Sequence, residues 1–344
     1  MPNYPFKNLV FEGGGVLGLA YVGALDLLEK KKILNNIDKV GGASAGAINA
    51  TLLSLGYTNK ELKEILMKLN FNNFLDDSWG YFRDADRLIS DFGWYKGDYF
   101  REWIGKLIEK KTGNEHSTFN ELNLNHDYKK LFLIGTNIST GFSEVFSAEH
   151  TPRESVADAV RISMSVPLFF KAIQNTRNDY YVDGGMVDNY PVKLFDREKY
   201  IEKSKIKSHG RKTDYYNNQN KEIRKTSSKY IFNKETLGFR LDKREEIAMF
   251  RDKAEPPRNN IEDFFDYAGA MIKTMMNIQN NQHLHSDDWQ RTIYIDTTGF
   301  NWLNFDMTKK QKEKLIIEGR KGIEKYFEWY DAMDPDDMPV NCPS

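Results

Sequence analysis

Short apolar runs alternate with helical stripes along the chain, and glycine-rich turns stand between them. Phe6-Lys7-Asn8-Leu9-Val10-Phe11 reads as a first strand, apolar at its end and broken by glycines. Leu19 to Glu29 reads as an apolar-rich helix, Ile37 to Gly41 as a short strand, and Ala47 to Leu55 as a helix of small and apolar residues. Lys130 to Thr136 is a continuous apolar run, the pattern of a strand buried on both faces of an α/β sheet. Ser143 to Phe146 fits a partner strand. Thr151-Pro152-Arg153-Glu154 has the spacing of a box-like cap and predicts a helix running to Ile162, ended by Ser163-Met164-Ser165-Val166-Pro167. Tyr180 to Asp183, Leu237 to Leu241 and Thr292 to Asp296 are the remaining strands; Tyr99 to Lys111, Ile261 to Gln282 and Lys309 to Trp329 are the remaining helices.

This alternation predicts an α/β fold: a three-layer α/β/α domain with a central, mainly parallel sheet. The expected organisation is a catalytic core over 6–195, a basic polar insertion over 196–235, strands and helices over 236–330 that complete the same domain, and a tail over 331–344. No internal repeat interrupts it.

Composition narrows the class. With 344 residues, the chain can bury a sizeable core, and 49 Lys plus Arg against 50 Asp plus Glu leave a formal charge of −1. No global field therefore favours nucleic acid or an anionic membrane. Cys342 is the one cysteine, which excludes an intramolecular disulfide and a cysteine-based zinc site. It stands too close to the end for a prenylation signal. The first residues enter a strand without a secretory pattern, no apolar run is long enough to span a bilayer, and mean hydropathy is −0.64, so the expectation is a cytoplasmic protein.

Candidate chemistry concentrates in three turns. Gly42-Ala43-Ser44-Ala45-Gly46 is a G-x-S-x-G elbow: a serine on a strand-to-helix turn, flanked by glycines that permit close backbone approach. Gly13-Gly14-Gly15-Val16-Leu17-Gly18 opens a helix and presents unpaired N–H groups to an anion. It matches the G-x-G-x-x-G dinucleotide fingerprint, but that reading needs an acid at the end of the second strand, where this chain has Gly41-Gly42-Ala43-Ser44. The alternative is that these N–H groups stabilise an oxyanion on an ester attacked by Ser44. Asp183-Gly184-Gly185 then supplies a carboxylate at a strand end, able to act as base in the same cleft.

Other stretches carry weaker signals. Phe71 to Gly97 interleaves Phe71, Phe74, Trp79, Tyr81, Phe82, Phe92, Trp94 and Tyr95 with acidic residues, which suits a lid, an interfacial surface or ordinary packing. The basic stretch after Phe195 reads as a mobile loop whose lysines can attract lipid headgroups or simply face solvent. His283-x-His285 with Asp287 and Asp288 lacks a third well-spaced ligand, and no EF-hand spacing occurs, so no metal is expected.

Taken in order, the glycine turn, the elbow, the segment Asp158 to Pro167, the Asp183-Gly184-Gly185 turn and Asp188-Asn189-Tyr190-Pro191 resemble the patatin-like phospholipase family over about Phe6 to Pro191. The resemblance implies a patatin-like fold and a lipid acyl hydrolase of phospholipase A or lysophospholipase type with a Ser44–Asp183 dyad. Gly13, Gly14, Gly15 and Gly18 would form the oxyanion loop, with the N–H groups of Gly14 and Gly15 holding the charge. Gly42 and Gly46 would shape the elbow, and Gly184 and Gly185 the aspartate turn. The implied substrate is membrane phospholipid or another acyl-glycerol, met through peripheral membrane contact, with no cofactor and no nucleic acid. One departure is Leu17, where the family commonly has Arg or Lys.

Two other readings stay open on the sequence. One is a Ser-His-Asp α/β-hydrolase using His283 or His285. The other is a lipid- or partner-binding module that keeps the fold without the chemistry, with Leu17 as its one encouragement. An acyl channel is expected beside Ser44, walled by Leu17, Leu52, Leu53, Met164, Val166, Leu168 and Phe169.

Overall fold

The first strand sets the centre of the sheet. In β1 (Asn8–Phe11) every residue is buried: Leu9 and Phe11 join the main core on one face while Val10 meets Phe132 and Phe195 on the other. A strand apolar on both faces belongs inside a parallel sheet. A computed structural model of the chain describes residues 4–76, 88, 90–209, 214–224, 226–246, 255, 258, 260–281 and 287–332.

β1 pairs in parallel with β2 (Lys39–Ala43) on one side and with β9 (Thr236–Asp242) on the other. β10 (Thr292–Asp296) extends the parallel set beyond β9, and β4 (Lys130–Asn137) extends it beyond β2. Antiparallel pairing begins at β4, which forms a hairpin with β5 (Phe142–Ser147) and also pairs with β8 (Tyr180–Asp183); β7 (Ile173–Gln174) pairs with β8. The path is β10-β9-β1-β2-β4-β8-β7, with β5 beside β4. β3 (Gly93–Tyr95) and β6 (Leu168–Phe170) form a separate two-stranded sheet.

The helices bounded within the described residues are α1 (Tyr21–Lys30), α2 (Ala45–Ser54), α3 (Asn59–Lys68), α4 (Asp98–Thr112), α5 (Phe119–Leu124), α6 (Val156–Ser163), α7 (Gly185–Asp188), α8 (Ile206–His209), α9 (Asp214–Glu222), α10 (Phe264–Asn281) and α11 (Lys309–Ala332). α2 lies over β1, β2 and β4, and α1 packs against α11, which also covers β10. The opposite face is covered by the chain after α7: the Tyr190 ring presses on Gly238 of β9, and Phe195 and Tyr200 pack on Phe132. The result is the three-layer, mainly parallel architecture that the pattern predicts.

Several boundaries differ from the sequence expectation. β2 begins and ends two residues later than expected, because Ile33–Asn36 is a 3-10 turn that Ile37 closes by donating to Leu34 O. The helix expected from Thr151 starts at Val156: Ser155 is the cap, accepting from Asp158 N, while Glu154 N bonds Thr151 O in a preceding turn. α3, capped by a full box between Thr58 and Glu61, is an addition to the expected helices. The basic stretch contains α8 and α9 and is tied down by Asp196, whose carboxylate receives Arg291 at 2.6 and 2.7 Å and Tyr216 at 2.6 Å. It sits at the edge where β1, β2 and β4 begin: Glu235 O accepts from Lys7 N and Asn8 N, and Lys199 pairs with Glu149.

Candidate active site

The elbow follows from packing at the other edge. Where β2 ends, Ser44 takes φ 52° and ψ −126°, a conformation that is costly for a residue with a side chain, and α2 starts at once. Gly46 is required by proximity: a Cβ there would lie 2.3 Å from Phe11 O and 2.7 Å from Glu12 O. The main-chain N–H of Ser44 donates to Ser163 Oγ at 2.9 Å, and that hydroxyl donates in turn to Ile134 O at 2.6 Å.

Asp183 reaches the same spot from the opposite direction. β5 occupies one edge of β4 from Phe132 to Asn137, so β2 and β8 must share the other edge. β2 ends with Ala43 opposite Ile134, and β8, running antiparallel, ends with Asp183 opposite Gly135. The two strands therefore meet end to end, and Ser44 and Asp183 are the residues at the junction. Asp183 N donates to Ser165 O at 2.8 Å, and Asp183 Oδ1 accepts from Gly185 N at 2.7 Å. Oδ2 is buried without a hydrogen-bond partner. Burial pushes the carboxyl up to about 7, against the pull of the Ser44 hydroxyl and the Gly185 N–H. Ser44 Oγ itself stands 3.7 Å from Met164 Sδ, a weak acceptor.

The glycine turn lies beside them, since β1 and β2 end in register with Phe11 opposite Gly42. Gly13 N is engaged, donating to Asn189 O at 3.0 Å. The N–H groups of Gly14 and Gly15 have no backbone acceptor among the described residues, as the start of the 3-10 helix Gly15–Ala20 leaves them. Gly15 has φ +54°, and a Cβ there would strike Trp302 O. Gly18 lies inside that helix, its Cα facing the Ala45 methyl, so it packs the glycine turn against the elbow helix.

Three residues hold these parts together without having been expected to. Asn189 Nδ2 donates to Glu12 Oε1 at 3.1 Å and Gly13 O at 3.3 Å, joining the aspartate turn to the glycine turn. Glu12 Oε2 accepts from Leu241 N at 2.6 Å, and burial raises its carboxyl. Arg161, almost fully buried and pushed down to about 10 by that burial, donates to Lys96 O and to the hydroxyl of Ser165, whose carbonyl accepts from Asp183 N. An arginine among apolar residues in the last turn of a helix was the one signal of it in the sequence.

Beside Gly13 and Gly14 is a cavity of about 60 Å³ bounded by Leu17, Leu241, Met276, Phe300 and Trp302. It adjoins, through Lys243, Lys273 and Trp302, a cleft of about 590 Å³ walled by Tyr95, Phe169, Phe265 and Phe305. Leu17 and Phe169 thus line open space, whereas Leu52 and Leu53 are core residues that border neither cavity. Phe74 packs on Phe71, Phe100 and Trp103, as a core residue does; Asp77 to Asp86, with Trp79, Tyr81 and Phe82, lies outside the described residues.

His116 bonds Arg101, His150 bonds Ser147 and His126 is exposed, so none of these three touches Ser44 or Asp183. His283, His285 and Cys342 lie outside the described residues. Asp288 is held by Arg291 and Lys193. Among the described residues no group of three His, Cys, Asp or Glu is arranged for a metal, and no helix is long and apolar enough to cross a membrane.

A mainly parallel sheet whose strand ends carry an elbow serine beside a buried carboxylate defines a patatin-type α/β protein, and VipD from Legionella pneumophila shares that fold: TM-score 0.56 at 18% identity, covering 94% of this chain and 67% of VipD. Residues 9–196 match the family model of patatin-like phospholipases, and the chain belongs to that family. Protein R571 of Acanthamoeba polyphaga mimivirus is 29% identical over 322 residues, 93% of each chain. The probable lipid hydrolase 463L of Invertebrate iridescent virus 6 is 28% identical over 193 residues, 56% of this chain and 64% of its own.

Proposed function

We propose that the protein is a serine lipid acyl hydrolase of phospholipase A or lysophospholipase type. The observation that carries this reading is the buried, unpartnered Asp183 Oδ2 at the junction with Ser44. Ser44 Oγ attacks the carbonyl carbon of an acyl ester while Asp183 Oδ2 takes its proton; the carbonyl electron pair moves onto oxygen, where the Gly14 and Gly15 N–H groups receive it. Collapse of the tetrahedral intermediate breaks the ester C–O bond, and the proton on Asp183 passes to the leaving alkoxide. Water, deprotonated by Asp183, then attacks the acyl-serine, and the proton returns to Ser44 as the fatty acid leaves.

Membership of the patatin-like phospholipases and the likeness to a probable lipid hydrolase support this assignment, as does an adjoining cleft that sets apolar Tyr95, Phe169 and Phe265 beside cationic Lys243 and Lys273. The chemistry uses the chain's own groups and water. A fluorophosphonate probe tests the nucleophile: the expected adduct maps to Ser44 and is lost in Ser44→Ala, whereas an unlabelled, folded chain on lipid as well as in buffer contradicts the reading and favours a binding module.

A further inference from the structure

α10 is apolar on both faces. Inward, Ala268, Ile272 and Met276 are buried, and Met276 Cε lies against Gly185 of the aspartate turn. Outward, Phe264, Tyr267, Met271, Met275 and Ile278 form a row spaced by three or four residues, each between 42 and 58% exposed. A helix that needed only to cover the site would put polar residues there. The helix carries two charged residues, Asp266 and Lys273, and Lys273 is paired with Glu246 at 2.5 Å.

The row is not alone. Phe92, with its ring on Tyr180, is 47% exposed, and Ile138 and Phe142 stand exposed on the β4–β5 hairpin. β2 ends at this edge with Ala43, and β4 runs three residues further, from Ile134 opposite Ala43 to Asn137. Exposed apolar side chains from three separate segments thus gather on the side of the molecule where Ser44 lies. At the opposite edge a separate cleft of about 600 Å³ is lined by Lys39, Lys129, Lys130 and Lys199 instead. The basic stretch that the sequence offered as a headgroup contact is therefore at the far end from the elbow.

We propose that the outer face of α10 seats in the boundary between headgroups and acyl chains of a phospholipid bilayer, with Phe92, Ile138 and Phe142 at the rim. This rests on the lipid hydrolase reading, and it gives the substrate a path: a lipid enters beneath α10, past Met276 and Trp302, to the cavity at Gly13 and Gly14. An uncharged row with an aromatic hydroxyl suits shallow insertion into such a layer. A second protein copy fits less well, because the same helix leads inward through Met276 to the aspartate turn and the cavity at Gly13 and Gly14, a continuity that a lipid layer uses and a protein contact does not need.

The test is co-sedimentation of the full chain carrying Ser44→Ala with phosphatidylcholine vesicles. Adding Met271→Gln, Met275→Gln and Ile278→Gln is expected to lower partitioning by roughly tenfold or more. Ile317→Gln, on α11, should leave it unchanged, and the single Ile278→Gln serves if the triple variant misfolds. The same triple substitution in the Ser44 chain should leave hydrolysis of dissolved p-nitrophenyl butyrate intact. Equal partitioning of parent and variant, or none by the parent, overturns the proposal. A dimer that the triple variant dissolves assigns the face to a second copy. Vesicle binding that depends on the row, in a parent that cleaves no dissolved ester, leaves the surface standing and overturns the hydrolase reading instead.

Discussion

Ser163 holds the backbone of Ser44: its hydroxyl accepts the Ser44 N–H at 2.9 Å and donates a hydrogen bond to Ile134 O at 2.6 Å. One side chain from α6 thereby fixes the strained elbow to β4. Ser163→Ala would leave a buried N–H and a buried carbonyl without partners, at a cost of about 1–3 kcal/mol. Chemical denaturation should register that loss, and kcat should fall while KM for a dissolved ester stays near the wild-type value.

Asp183 should report on pH in two ways. As a base it must be ionised, so kcat/KM is expected to rise with pH and level off above about 7, the value to which burial pushes its carboxyl. Stability runs the other way. The folded carboxyl titrates higher than the unfolded one, so the stability tied to its protonated form is complete below about pH 4 and is lost as pH rises to about 7. Asp183→Asn should therefore melt higher than wild type at pH 8, by on the order of a few kcal/mol, and show little difference near pH 4. Equal melting shifts at both pH values would contradict the buried-carboxylate picture.

Two glycines separate close contact from backbone freedom. Gly46→Ala drives a methyl into Phe11 O and Glu12 O and should cost several kcal/mol with loss of activity. At Gly56, φ is +72° with nothing within 4 Å of the added methyl, so Gly56→Ala should cost only about 1 kcal/mol and leave activity intact. Thermal melts with ester turnover distinguish them.

Asn189 links both turns through Glu12 Oε1 and Gly13 O. Asn189→Ala should free the glycine turn at a cost of about 1–2 kcal/mol in stability. Turnover is expected to fall by a larger factor than that cost implies, since Gly14 and Gly15 depend on the position of Gly13. A variant with unchanged kcat would remove Asn189 from the positioning role.

Much of this was legible in the residue pattern, for physical reasons. Continuous apolar strands such as Lys130 to Thr136 announce burial on both faces, and glycine turns mark where strands hand over to helices. The end-to-end meeting of β2 and β8 was not legible, because it depends on β5 having taken the other edge of β4. Nor were the roles of Ser163 and Arg161, whose partners are backbone groups distant in sequence. The cap at Ser155 was missed for a local reason: Thr151 and Glu154 have box spacing but close a turn. The outward row on α10 was hidden because a helix apolar on both faces carries no simple stripe.

The most direct measurement is release of free fatty acid from mixed phospholipid vesicles containing a chelator, comparing wild type with Ser44→Ala and Asp183→Asn. Release by wild type that disappears in both variants is the expected result. Release that survives loss of either residue would contradict the Ser44–Asp183 dyad.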